Sequence, residues 1–215
     1  MAAGVPQRRT QQQRREETRA KLIDSAFEII KNKGAASFTT AEVAELAGLT
    51  RGAIQYHFAN PYELLREVVI KVVNAMIEQV EAADLLKMER KERLAKIVDI
   101  YWDGYRSDTY VVFIELTLHG RLIPELSGNI RDAIALLETE RDDQWLTLMC
   151  DFECSDREKI SWRASLLTVL RGLALKQMFA GTQEDVERLY QDIKHHFIQS
   201  IYVRAGLVEV ISKSN

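Results

Sequence analysis

The chain has 215 residues, 47% of them apolar and 28% charged, with three prolines and ten glycines. This is ordinary globular usage for a largely helical protein, long enough to bury a core without staples, and it confines disorder to the ends. The net charge of −3 hides an asymmetry: residues 1–60 carry nine Lys/Arg against six Asp/Glu, a net of +3, which leaves −6 for the rest. The positive charge at the front points to an anionic partner there. No stretch approaches the roughly 18 apolar residues of a membrane span, and the N-terminus lacks the apolar run of a signal peptide, so a cytoplasmic location is expected.

Residues 1–15 hold Arg8, Arg9, Arg14 and Arg15, the run Gln11-Gln12-Gln13 and no acid. They read as a disordered basic arm. A first helix is predicted from about Arg15 to Lys33, with Leu22, Ile23, Ala26, Phe27 and Ile30 on one face. Glu16 and Glu17 are expected in its first turn, Lys31 and Lys33 in its last, and Gly34 just past its end, an order that suits the helix dipole and the left-handed capping position.

Thr39 followed by Glu42 has the spacing of a reciprocal capping box opening a short second helix that ends at Ala47. Gly48-Leu49-Thr50 makes a turn, and Thr50 is expected to cap a third helix from Arg51 to about Phe58. Asn60-Pro61-Tyr62-Glu63 then opens a long fourth helix carrying Leu64, Leu65, Val68, Val72, Met76 and Val80. Beyond it the period stays helical. Elements are predicted at 89–105, 109–119, 127–151, 156–179 and 183–203, separated by Gly120, Gly128, the Ser155-Asp156 cap and Gly181-Thr182. The fold class is therefore all-α.

Ala44, Gly48 and Ile54 sit inside the two short capped helices. A small residue at Ala44 lets the helices cross closely, Gly48 permits a positive φ in the turn, and Ile54 anchors the third helix, with Val43, Leu46 and Phe58 also pointing inward. The opposite side of the third helix then presents Thr50, Arg51, Gly52, Gln55, Tyr56 and His57. The Gln55 amide has the geometry for a bidentate contact to adenine, Arg51 suits guanine or phosphate, and Gly52 admits close backbone approach. With Thr39, Thr40, Asn60 and Tyr62 at the edges of the module, these are the candidate DNA-binding residues, in a helix-turn-helix spanning 39–59.

Residues 16–80 resemble the DNA-binding domain of the tetracycline-repressor (TetR) family. The resemblance lies in Ala26-Phe27-Glu28-Ile29-Ile30, in the phrase from Phe38 to Ile54, in Tyr56-His57-Phe58 and in Glu63-Leu64-Leu65. Two departures stand out: Gln55 occupies a position where many members have tyrosine, and Pro61 one where lysine is common. The first implies a different operator sequence and the second removes a phosphate contact, although Pro61 suits the first position of a helix.

The resemblance implies a three-helix DNA-binding domain over 16–80 and a helical regulatory and dimerisation domain over 81–215. It also implies a homodimer formed by the helices at Asp156–Phe179 and Gln183–Val203. Their stripes are Trp162, Leu166, Leu170, Leu173 and Gln177, and Val186, Tyr190, Ile193, Phe197 and Ile201; such stripes equally suit burial within one subunit. A small-molecule effector is implied among the middle helices, with Trp102, Tyr105, Phe113, Glu115, Leu116, His119, Trp145 and Met149 as candidate lining. Glu115 and His119 are the polar candidates, although an aromatic stripe at helical spacing is more commonly core. The expected function is a dimeric, ligand-responsive repressor on a double-stranded pseudo-palindromic operator, against a transcriptional activator of the same fold or a helical adaptor or enzyme without DNA binding. No nucleophile, base and orienter can be grouped, so no catalysis and no cofactor are expected, and Cys150 and Cys154 read as free thiols rather than a metal site.

Overall fold

The computed structural model describes residues 10–179 and 182–207, apart from the side chains of Met76, Leu136 and Leu137. Arg8 and Arg9 of the expected arm lie outside them. Every regular element among the described residues is helical: α1 (Gln11–Lys33), α2 (Thr40–Leu46), α3 (Arg51–His57), α4 (Pro61–Glu81), α5 (Arg90–Tyr105), α6 (Asp108–Gly120), α7 (Pro124–Leu148), α8 (Asp156–Phe179) and α9 (Gln183–Arg204). Single 3-10 turns lie at Ala35–Ser37 and Leu85–Lys87. None of these helices is long and apolar enough to cross a membrane.

The chain divides into two compact units, one of residues 1–72 with 111–133 and the other of residues 73–110 with 134–215. In the first, α1 packs on α2 and α2 on α3. Its core contains Leu22, Ala26, Ile30, Val43, Ile54, Phe58 and Leu64, each essentially inaccessible to water. Full burial of an aliphatic side chain of this kind contributes roughly 1.5–3 kcal/mol. From the middle of the chain the same unit receives Val112, Leu116, Leu126 and Ile130.

Local chemistry explains most helix ends, with corrections to the sequence reading. Helix α1 starts at Gln11, where Thr10 and Gln13 form a reciprocal capping box, so the last residues of the expected arm are helical and no acid lies in the first turn. Gly34 ends it at φ +79°, and Gly48 turns at φ +67°. The box at Thr39 is half formed: its hydroxyl accepts from the Glu42 amide, while the Glu42 carboxylate pairs with Lys33 instead. Leu46 was expected inside and is 57% exposed. Gly128 does not separate helices but lies within α7, which begins at Pro124 and ends at Leu148 rather than Asp151.

The second unit is built on α5, α8 and α9 packed against one another. Trp145 is wholly buried, and its Nε1 donates to the Lys159 carbonyl at 2.6 Å. Arg163, 4% exposed, is held through Nη2 by Glu138 at 2.8 Å and by Asp142. Arg141 reaches the same Glu138 at 3.0 Å. Asp151 likewise pairs with Arg90 at 3.1 Å and with the buried Arg93.

Burial pushes the Glu138 and Asp151 carboxyls up, but their arginine neighbours together outweigh it, and both groups end below their ordinary values of 4.5 and 3.8. A carboxyl held low in the folded state stabilises it above the ordinary pKa, and that contribution is lost as pH falls through the folded value. The melting temperature should therefore hold from pH 7 to about 5 and decline below about 4.5. In Glu138→Gln the acid decline should be shallower; an identical pH profile by circular dichroism would remove Glu138 from this account.

Most of the two stripes, which suit either a subunit interface or burial within one subunit, is buried within this one, while Ile193 and Phe197 stay partly exposed. Trp162, Leu166, Leu170, Leu173, Val186, Tyr190 and Ile201 are all inaccessible, and Gln177 is exposed. Apolar periodicity reported that a face is covered, and here α5 and the facing helix of the α8–α9 pair supply the cover.

Candidate nucleic-acid interface

Helix α3 is seven residues long, too short to persist alone, and is held by Ile54, which is 3% exposed, with Phe58 closing its C-terminal end through an amide bond to the Ile54 carbonyl at 2.8 Å. The preceding turn is locked by the Leu49 amide on the Ala44 carbonyl at 2.8 Å. With one side buried, the other presents Thr50, Arg51, Gly52, Gln55 and Tyr56 to solvent, Tyr56 being 68% exposed. Thr50 stands at the N-cap but its hydroxyl makes no capping bond, contrary to expectation.

Two surfaces flank this face. On one side Thr40, Arg51, Gln55 and Asn60 line a single concave patch of about 340 Å³ together with Ile54, Phe58, Ala59 and Pro61. On the other, Tyr56 borders a groove with Gln11, Gln12, Arg15, Glu16 and Arg19 of α1. The Arg15 guanidinium lies 5.7 Å from the Tyr56 ring centroid, and that of Arg19 lies 5.1 Å from Phe58 while pairing with Glu67 at 2.9 Å. The sequence reading placed Arg15 at the end of a loose arm. The signal available to it was the reach of α1 upstream of its apolar stripe, since a helix cap at Thr10 extends the rod by more than a turn beyond the core.

His57 is half-buried, and its Nδ1 finds no hydrogen-bond partner among the described residues. Burial, and then the charges of Arg15 and Arg19, push its pKa down, which leaves the ring neutral at pH 7. Gly52 is informative for a different reason. A Cβ added there would meet only the Thr50 hydroxyl oxygen at 3.7 Å, an ordinary contact, so the protein's own packing does not require glycine. Thr39 is exposed at the start of α2, and Tyr62 is half-buried in the first turn of α4. Asn60 caps α4, accepting from the Glu63 amide at 2.9 Å, and donates to Glu125 at 2.9 Å.

The expected effector-lining residues fall into the two units. Phe113, Leu116 and His119 lie on α6 in the first, with Leu116 fully buried and the other two half-buried. Glu115, the polar candidate on the same helix, accepts a hydrogen bond from the Ala35 amide at 3.1 Å. In the second unit Trp102 stacks on Tyr190 at 5.2 Å, and the Tyr105 hydroxyl accepts from Arg171 Nε at 3.1 Å. Trp145 and Met149 are both inaccessible. Cys150 and Cys154 are free, and no group of three or more His, Cys, Asp or Glu able to hold a metal occurs among the described residues.

Residues 22–68 match the family described as bacterial regulatory proteins, tetR family. The HTH-type transcriptional regulator CymR of Pseudomonas putida is 28% identical over 187 residues, covering 86% of this chain and 91% of that protein. Among solved structures, a transcriptional regulator from Rhodococcus sp. Rha1 superposes with a TM-score of 0.69 at 20% identity, over 89% of this chain and 99% of its own. The regulator FadR of Bacillus subtilis, solved in complex with stearoyl-CoA, does so with a TM-score of 0.63 at 17% identity, over 83% and 97%. These last two likenesses speak to the fold, while the match at residues 22–68 falls on the module whose outward face has just been described. Residues 22–68 therefore form a helix-turn-helix module of the tetR type, in a chain that is similar over most of its length to a helix-turn-helix transcriptional regulator.

Proposed function

We propose that this regulator is a homodimeric repressor that reads a pseudo-palindromic operator through α3 and is released by a small-molecule effector. The observation that carries the reading is the division of α3 into a buried anchor at Ile54 and an exposed polar side of Arg51, Gly52, Gln55 and Tyr56. A helix held in this way can enter a major groove without reordering, and Gly52 leaves room for the backbone to approach a base edge. Arg15, stacked beside Tyr56, extends the basic surface toward the flanking phosphates.

Dimerisation is supported by the outward faces of α8 and α9, where Val169, Leu189, Ile193 and Phe197 line a groove of about 390 Å³. A two-fold dimer requires half-sites about one helical turn apart, ~34–36 Å. Effector control is supported by likeness to a regulator solved with a bound acyl-CoA.

The test is electrophoretic mobility shift on the DNA upstream of the chain's own gene, repeated across salt concentrations. Gln55→Ala should weaken specific binding by about 1–3 kcal/mol and relax preference at one base position. Arg51→Ala is expected to weaken all duplexes together and lower the salt slope by about 1 if it grips phosphate. Full-strength, equally selective binding by both variants would take α3 out of the groove.

A further inference from the structure

The helix-turn-helix is tied at both of its flanks to one and the same hairpin. Upstream of α2, the Ala35 amide opens the 3-10 turn and donates to Glu115 Oε2 at 3.1 Å, a bond spanning 80 residues of sequence. Gly34 is bound up with this contact: its φ is +79°, and a Cβ added there would stand 3.2 Å from the same carboxylate oxygen. Downstream of α3, the Asn60 side chain serves two partners, accepting from the Glu63 amide and donating to Glu125 Oε1 at 2.9 Å across 65 residues.

Glu115 belongs to α6 and Glu125 to the first turn of α7. The corner between those helices is closely packed. A Cβ on Gly120 would come within 2.9 Å of Ile130 Cδ1 and 3.2 Å of Leu126 Cγ, and Leu116, Leu126 and Ile130 are buried around it. Residues 111–133 accordingly fall in one compact unit with residues 1–72.

We propose that the α6–α7 corner is the seat that sets the pose of the helix-turn-helix, with Glu115 and Glu125 as its two positioning residues. Neither carboxylate belongs to the DNA-facing surface. Each accepts a hydrogen bond from a group that brackets the reading module, Ala35 before α2 and Asn60 after α3. A shift of either bond alters where α3 points while leaving Arg51, Gln55 and Tyr56 chemically intact. Specificity suffers from such a shift more than affinity for phosphate, because base contacts need defined geometry and a phosphate contact tolerates sliding. This inference rests on the DNA-binding reading above.

The experiment compares the full-length protein with Glu115→Ala/Glu125→Ala and with Glu115→Gln/Glu125→Gln, which retains an acceptor oxygen at each place. The probes are a duplex selected by the unaltered protein from a random pool and an unselected duplex of equal length, with binding corrected for active fraction. The alanine pair should lose about ten-fold in preference for the selected duplex, with the salt slope and binding to the unselected duplex unchanged. The glutamine pair should recover most of that preference. Undiminished preference in the alanine pair, or equal losses on both duplexes, overturns the proposal. Failure of the unaltered protein to select any duplex is a separate result, which removes the DNA-binding reading and this inference with it.

Discussion

Ile54→Ala should destabilise the N-terminal unit by about 2–4 kcal/mol and abolish specific operator binding while Gln55→Ala leaves stability unchanged. Of the seven residues of α3, all of them described, Ile54 alone is buried, so few residues hold the helix in order. Truncation leaves a void beneath the helix in a unit whose core residues Val43, Ala44 and Phe58 are themselves inaccessible, and protein interiors relax into such a void only partly. A helix this short has no independent stability to fall back on. The loss therefore appears first as disorder of the DNA-facing residues. Thermal melts followed by circular dichroism, paired with mobility shifts, separate the two variants. Retention of specific binding by Ile54→Ala would mean that α3 is held by something other than its anchor.

The second large effect is expected in the other unit. Trp145→Ala should cost about 3–5 kcal/mol, because it removes a side chain with no exposed surface together with its 2.6 Å bond to the Lys159 carbonyl. Trp145→Phe isolates the two contributions: most of the ring volume stays and the N–H donor goes, for about 0.5–1.5 kcal/mol. Denaturant unfolding checks both. A cost for Trp145→Ala below 1 kcal/mol would show that the site collapses around the missing ring, contrary to the packing seen here.

Helix ends governed by neighbouring residues were legible in the chain. Gly34 and Gly48 adopt the positive φ expected of them, and α8 runs over Asp156–Phe179 as read from its cap and period. The anchors of α3 were legible too, since Ile54 and Phe58 are buried at helical spacing. Errors arose where a local signal was outweighed. Gly128 reads as a break, but a helix-interior glycine costs only about 1 kcal/mol relative to alanine, less than the burial of Leu126, Ile130 and Ala133 on the same helix returns. Leu46 reads as core by composition, yet the crossing of α2 leaves it outside.

Helical content, the glycine turn at Gly48 and the polar face of α3 were determined by the sequence alone, because each depends on residues within about one turn of one another. Which partner a side chain meets was decided only by tertiary structure. Glu115 reads as a polar candidate in an apolar helix, and only the fold brings it to the Ala35 amide, 80 positions away. Arg163 meets its partners Glu138 and Asp142 from 25 and 21 positions away in the chain. Periodicity encodes that a face is covered; packing between distant helices, where a buried polar group must find a partner or bear its desolvation, chooses what covers it.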